Sequence, residues 1–382
     1  MIGSYLLYVI GGLFAVLGLS GGGGSGSSSG PSGPTIASGS IAPLGESPAE
    51  EDPPAEDDTP SDDDSTPSVV VEPPAPSAPV TTPDLPSSDY DIGWAGLTPE
   101  EQLIVELVNR ARLDPLAEVD RLDEGLASGI SSSPVQALAV AHELSDAARG
   151  HSEDMDNRDF FSHTSPDGDG PGARAIEAGH GTGFVGENIG WVGSTFAPNP
   201  QARAEYHHEG LWESDGHQRN MMDDRWSEIG LGYDYGDYRG YDHSTFTTEL
   251  FSDRGDVYLT GVVIEDQDGD DFYDIGEGQG DVRVTAFNGD DAFATATWDA
   301  GGYSLALPPG TYRVVFEGGD LDAPYETEVT IGNENVKLDV IEDGGTVLAS
   351  VNAGTPLPGI PVVEETLSAI PEEETDDLLE LV

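Results

Sequence analysis

The sequence contains no cysteine. Disulfides, thiolate metal sites and a cysteine nucleophile are therefore excluded, and any bound metal must rest on imidazole, carboxylate or carbonyl ligands. Basic residues are nearly as scarce: 14 Lys+Arg face 73 Asp+Glu, for a net charge of −59, and the only lysine is Lys337. A chain without a basic face does not bind a phosphate backbone, so nucleic acid is excluded as a partner, and docking on anionic lipid is disfavoured. The same balance suits a cation-rich medium or a chain that gathers divalent cations. Aromatic residues make up only 8% of the chain and are concentrated in the middle, while most of the 28 Pro lie in the flanks.

That unevenness sets the expected organisation. Residues 1–20 are almost all apolar or small and carry no charge, which reads as a signal sequence or membrane anchor in contact with the membrane, with cleavage the alternative. Residues 21–93 are Gly/Ser-rich, then acidic and Pro-rich. They cannot bury enough surface to fold and read as a disordered tether. Residues 94–253 and 255–342 have ordinary apolar content and read as two domains, followed by a disordered acidic tail over 343–382.

The first globular region opens on Thr98-Pro99-Glu100-Glu101, an N-cap, a proline at the first helical position and the spacing of a capping box. Leu103, Ile104, Leu107, Val108 and Ala111 then recur at helical period. A second helix is predicted over Val135–Asn157 and a short one over Ala173–Ala178. The stretches Glu228–Tyr233 and Thr245–Phe251 alternate like strands. Helices precede strands, so the class is α+β. His151 is expected to pack on the second helix, His207 and His208 to lie on a polar helix face, and Trp212 and Trp226 to be core.

The order of motifs is more specific than the periodicity. Asn109-Arg-Ala-Arg112, His151-Ser-Glu-Asp-Met155, Phe161-Ser-His-Thr-Ser-Pro-Asp-Gly168, Gly186-Glu-Asn-Ile189, Leu211–Met221 and Ser227–Gly232 together resemble a bacterial CAP domain. This is the superfamily of cysteine-rich secretory, antigen 5 and pathogenesis-related proteins. The resemblance implies an α-β-α sandwich with an open cleft, in which two histidines and one or two glutamates bind a divalent cation, often zinc. Carried over, these are His163, His217 and Glu187, with Glu213 or Glu228 as the second glutamate. Imidazoles with a carboxylate are a sound ligand set for zinc with an open position. No G-x-S-x-G and no H-E-x-x-H occurs, and Ser162 and Ser165 flank His163 too closely in sequence to form a nucleophile–base pair. The residues thus leave the catalytic question open, with no catalytic residue assigned.

In the second region, short alternating segments near 257–264, 281–287, 303–307, 311–316, 325–331 and 335–340, with regular turns, predict an all-β sandwich. Its first loop, Asp266-Gln-Asp268-Gly-Asp270-Asp-Phe272-Tyr-Asp274-Ile-Gly-Glu277, places carboxylates at positions 1, 3, 5, 9 and 12 of a calcium loop, with the Phe272 carbonyl at position 7. The usual glycine at position 6 is Asp271, a residue type that tolerates left-handed backbone. This string and Gly301-Gly-Tyr-Ser-Leu-Ala-Leu-Pro-Pro-Gly-Thr-Tyr resemble adhesin B-type repeats and carboxypeptidase-regulatory-like sandwiches. They imply an immunoglobulin-like module stiffened by Ca²⁺. The combined expectation is an exported or cell-surface protein with a cation-binding cleft for an extracellular small molecule, lipid or polymer, and a calcium-stabilised spacer or adhesion module. The alternative is a metal-assisted hydrolase acting on extracellular or envelope polymers.

Overall fold

The computed structural model describes residues 94–343, 346–352 and 355–357. The expected N-terminal signal or anchor, the linker and most of the acidic tail lie outside them. Among the described residues no helix is long and apolar enough to cross a membrane.

Helix α1 (Pro99–Leu113) begins as its sequence dictates. Glu101 N–H donates to Thr98 Oγ1 at 3.2 Å, and Thr98 N–H donates to Glu101 Oε2 at 2.8 Å, so two otherwise orphaned donors are satisfied. Helix α2 (Pro115–Leu122) follows directly, capped by Asp114. The predicted helix from Val135 starts later. Ala139–Val140 forms strand β1 and pairs in parallel with Glu228 and Ile229, and α3 spans His142–Asn157. Tertiary pairing overrides local helical preference there. Next come α4 (Pro171–Glu177), β2 (Val185–Ser194), α5 (Pro200–Trp212), α6 (Asp215–Met221), β3 (Glu228–Tyr238) and β4 (Tyr241–Ser252).

The four strands are ordered β1-β3-β4-β2, so β2 is an edge. Gly230 and Gly232 let α3 lie directly on the sheet; a Cβ at Gly230 would sit 2.2 Å from the Leu144 carbonyl carbon. The opposite face presents Ile229 and Leu231 to Leu103 and Leu107 of α1 and Trp212 of α5. The result is three layers: α3 and α4, the sheet, then α1, α5 and α6. This is a mixed α+β region followed by a strand-rich one.

The strand-rich region has two sheets. One, ordered β10-β9-β6-β7, uses β6 (Val282–Asn288), β7 (Asp291–Ala296), β9 (Gly310–Gly318) and β10 (Tyr325–Ile331). The other, ordered β13-β12-β11-β5-β8, uses β5 (Tyr258–Glu265), β8 (Gly302–Ala306), β11 (Val336–Asp343), β12 (Thr346–Val351) and β13 (Thr355–Leu357). The last two strands fall where the sequence predicts tail; β12 pairs antiparallel with β11.

Strand β5 is apolar on both sides, as a strand covered on both faces should be. Leu259 and Val263 pack into the core between the two sheets. Val262 and Ile264, with Tyr273 and Ile341, instead join the core built on α1. Polar bonds seal the same seam. Trp298 Nε1 donates to Gln102 Oε1 at 2.9 Å, and Asn335 Nδ2 donates to the carbonyls of Ala137 (2.9 Å) and Ser227 (2.7 Å). Burying four large apolar side chains contributes about 1.5–3 kcal/mol each. The two regions are therefore expected to melt together. Calorimetry should give one cooperative transition, and Ile264→Ala should lower it as a whole, by about 2–5 kcal/mol in stability. Two separate transitions would contradict the shared core.

Candidate functional site

The edge strand β2 places Glu187 beside the loop after α3, through His163, and beside α6, through Asn220. His163 Nδ1–H donates to Glu187 Oε1 at 2.8 Å, and the imidazole is half exposed while the carboxylate is buried. Arg174 of α4 takes the other Glu187 oxygen as an ion pair. The same guanidinium donates to the carbonyls of His163 (3.1 Å) and Asp169 (2.9 Å), and His151 Nε2–H donates to the Ser162 carbonyl at 3.0 Å. The loop carrying His163 is thus tied to two helices. With Nδ1–H committed to a carboxylate, the neutral form of His163 carries its lone pair on Nε2, the tautomer that metal-binding imidazoles require.

His217, the third residue of α6, neighbours His163. Its Nδ1 is buried and has no hydrogen-bond partner. Burial first, and neighbouring His163 second, push its pKa down to about 4, so the ring is neutral at pH 7. Its backbone is fixed from below: Asn188 Nδ2 donates to the His217 carbonyl at 3.1 Å and to Glu249 Oε2 at 2.8 Å. Asn220 Nδ2 donates to the Glu187 carbonyl (3.1 Å) and to Asn188 Oδ1 (2.9 Å). Glu249 is fully buried, and burial pushes its carboxyl up to about 7 against the lowering effect of Asn188.

The donor set can be weighed against the zinc site the resemblance implies. Two imidazoles, one of them with an orphaned buried nitrogen, suit a borderline-soft cation. Glu187 does not add a third ligand, because both its oxygens are held by His163 and Arg174. It fits as the group that orients His163. Glu213 is exposed at the end of α5. Glu228 is buried in a separate cluster, accepting from Arg254 Nε (2.9 Å) and Tyr258 OH (2.8 Å). At the two other expected positions, Glu228 is paired with Arg254 and Tyr258, and Glu187 with His163 and Arg174.

Sequence reasoning did not single out Arg174, Asn188, Asn220 or Glu249, and read His151 only as packing on its helix. Asn188 and Asn220 carried a signal, since each lies within a recognised motif beside a site residue. Asn220 is one helical turn after His217. Arg174 and Glu249 carried none. His207 and His208, expected on a polar face, are buried; His207 bonds Thr245 and His208 bonds Glu118, each at 2.7 Å. Trp212 and Trp226 are core.

The second candidate is the loop after β5. Asp266, Asp268 and Asp270 bring ligand oxygens within 4.8 Å of one another, the one group of three metal-ligating side chains to do so among the described residues. Asp266 accepts N–H groups from Gly269 (2.8 Å) and Asp271 (3.2 Å). Asp271 adopts φ +60°, the left-handed turn that position 6 demands. Around the other expected ligands, protein partners are close by. Glu277 accepts the N–H groups of Gln267 (2.8 Å) and Asp274 (2.9 Å), Asp274 accepts from Gln201 of α5 at 2.6 Å, and the Phe272 ring lies under Arg110 at 4.3 Å. Three clustered carboxylates suit a hard cation, while Asp274 and Glu277 fasten the loop.

Residues 105–251 match the cysteine-rich secretory protein family, CAP. The match covers the three-layer region and includes His163, Glu187 and His217. Among solved structures, an extracellular SCP-domain protein of Bacillus anthracis aligns at 26% identity, covering 40% of this chain and 39% of that one, with a TM-score of 0.26. This chain thus spans well under half of that protein. An outer surface protein of Borrelia burgdorferi aligns at 12% identity over 40% of this chain and 90% of that one, with a TM-score of 0.27. No curated protein matches the chain.

Proposed function

We propose that this is an exported CAP-domain protein whose groove binds a divalent cation through His163 and His217, and through it an extracellular small molecule, lipid or polymer. The strand-rich region, read as an immunoglobulin-like module, serves as a calcium-stabilised spacer or adhesion element fused to the CAP core. The observation that carries the reading is the His163–Glu187 hydrogen bond at 2.8 Å, facing a neutral His217. It leaves Nε2 of the neutral imidazole available to a ligand. A bound Zn²⁺ would supply Lewis acidity and an open coordination position. Arg174 and His151 hold the loop in register whether or not a cation is present. A metal-assisted hydrolase is the second reading, favoured by the same carboxylate-oriented imidazole, which is also the arrangement of a general base.

Titration calorimetry with Zn²⁺ tests both. Wild type should bind with saturation, and His163→Ala and His217→Ala should each lose binding. Glu187→Gln should weaken it about 10–100-fold, the usual cost of removing a group that orients a metal-binding histidine. Assays on peptide, ester and glycan substrates then separate the readings: turnover lost in both histidine variants favours the hydrolase, and binding without turnover favours the binding protein. Absence of saturable binding in the wild type would overturn the proposal.

A further inference from the structure

A pocket of about 250 Å³ lies behind the loop, lined by Glu265, Glu277, Gln279, Asp320, Asp322 and Glu342 together with two glycines. No lysine or arginine lines it, and neither do Asp266, Asp268 and Asp270. Carboxylates alone would say little in so acidic a chain. The decisive group is Gln279, which is 5% exposed. Its Nε2 donates to Glu342 Oε2 at 2.7 Å, which fixes the amide, since the flipped rotamer would set a carbonyl against a carboxylate. Its Oε1 is then left buried with no donor. A buried carbonyl oxygen without a donor, in a pocket with no cationic side chain, is a site short of a positive partner.

We infer that this pocket is a second, separate Ca²⁺ site, with the Gln279 carbonyl and carboxylates from Glu265, Asp320, Asp322 and Glu342 as its ligand pool. Hard oxygen donors that mix carboxylates with an amide carbonyl are the calcium pattern. The donors come from different sheets. Glu265 and Glu342 end β5 and β11, whereas Asp320 and Asp322 sit in the turn between β9 and β10. That turn is already held to β11, because Asp322 N–H donates to Glu342 Oε1 at 3.0 Å. A cation there clips one sheet to the other. Glu277 and Glu342 contribute less than Glu265, Asp320 and Asp322, because both oxygens of each already accept N–H groups.

Equilibrium dialysis of the full chain against Ca²⁺, at about 0.15 M salt to screen diffuse attraction, counts the saturable sites. Asp320→Asn with Asp322→Asn alters exposed side chains and should remove one Ca²⁺ equivalent. Gln279→Met changes no charge and should weaken the same equivalent roughly tenfold or more. Asp268→Asn with Asp270→Asn should leave that equivalent in place, whether or not the loop binds an ion of its own. A wild-type count in the Asp320/Asp322 variant would overturn the inference. So would loss of the same equivalent in the Asp268/Asp270 variant.

Discussion

Replacing Lys337 with methionine is expected to cost the folded protein about 3–5 kcal/mol, the usual penalty for removing one partner of a buried ion pair. Lys337 of β11 is 5% exposed, and its Nζ lies 2.7 Å from Glu106 Oε2 of α1, with Asp339 as a second partner. Glu106 is itself 3% exposed, and its other oxygen accepts from Gln102 Nε2 at 2.7 Å. Burial opposes the charge on the lysine, but Asp339 and Glu106 outweigh it and raise its pKa, so it remains an ammonium. Burial raises the Glu106 carboxyl. Without the ammonium, the favourable way to keep Glu106 buried is to protonate it. A carboxyl whose folded pKa is raised contributes stability below its unfolded pKa and loses it as pH rises through the folded pKa. The deficit in the variant should therefore be largest at neutral pH and shrink toward pH 4.5. Urea unfolding at pH 7 and pH 5 reads this directly. Adding Glu106→Gln should restore much of the loss at pH 7. A change below about 1 kcal/mol would mean that the seam around this ion pair is open to water.

The sequence made local features legible because their causes are local. Thr98 and Glu101 are three residues apart, and the capping box they announce forms as read. The Asp266–Asp270 spacing likewise gathers three carboxylates, and Asp271 takes the left-handed conformation. His163, Glu187 and His217 were found through motifs, and they are neighbours in the structure. Their division of labour was not legible, because Arg174 decides it by occupying the second oxygen of Glu187. The same holds for Glu228, whose partners Arg254 and Tyr258 lie beyond the expected domain edge. The seam between the two regions joins residues nearly two hundred positions apart, such as Gln102 with Trp298 and Gln136 with Asn335. Alternation along β5 showed an apolar strand but could not show that both of its faces are covered.

Acidification from pH 7 to pH 5 is expected to destabilise the protein well before its carboxylates are titrated in bulk. His151 and His207 are fully or almost fully buried, and His217 is partly so. Burial pushes their pKa values down to about 4, about 3 and about 4, with Arg203 adding to the effect at His207. An unfolded histidine titrates near 6.5. Between these values unfolding takes up protons, so this stability is present above pH 6.5 and is lost as pH falls toward the folded pKa. Burial shifts His180 and His208 in the same direction. Glu249 opposes them. Raised to about 7, it is protonated in the folded state, and its contribution is full below 4.5 and lost as pH rises through 7. The histidines outnumber it, leaving a net loss of roughly 1–3 kcal/mol per pH unit between 6.5 and 4.5. Removing one contributor should show in the slope. His207→Gln, whose amide can still reach Thr245, should flatten the pH dependence by about one proton, and Glu249→Gln should steepen it by about one. Stability that stays level from pH 7 to pH 5 would require that these rings ionise in place, and would place water where the fold now excludes it. The neutral state of His217, which leaves a nitrogen free, is held by the same burial, so the proposed cation binding and the acid sensitivity would share one physical origin.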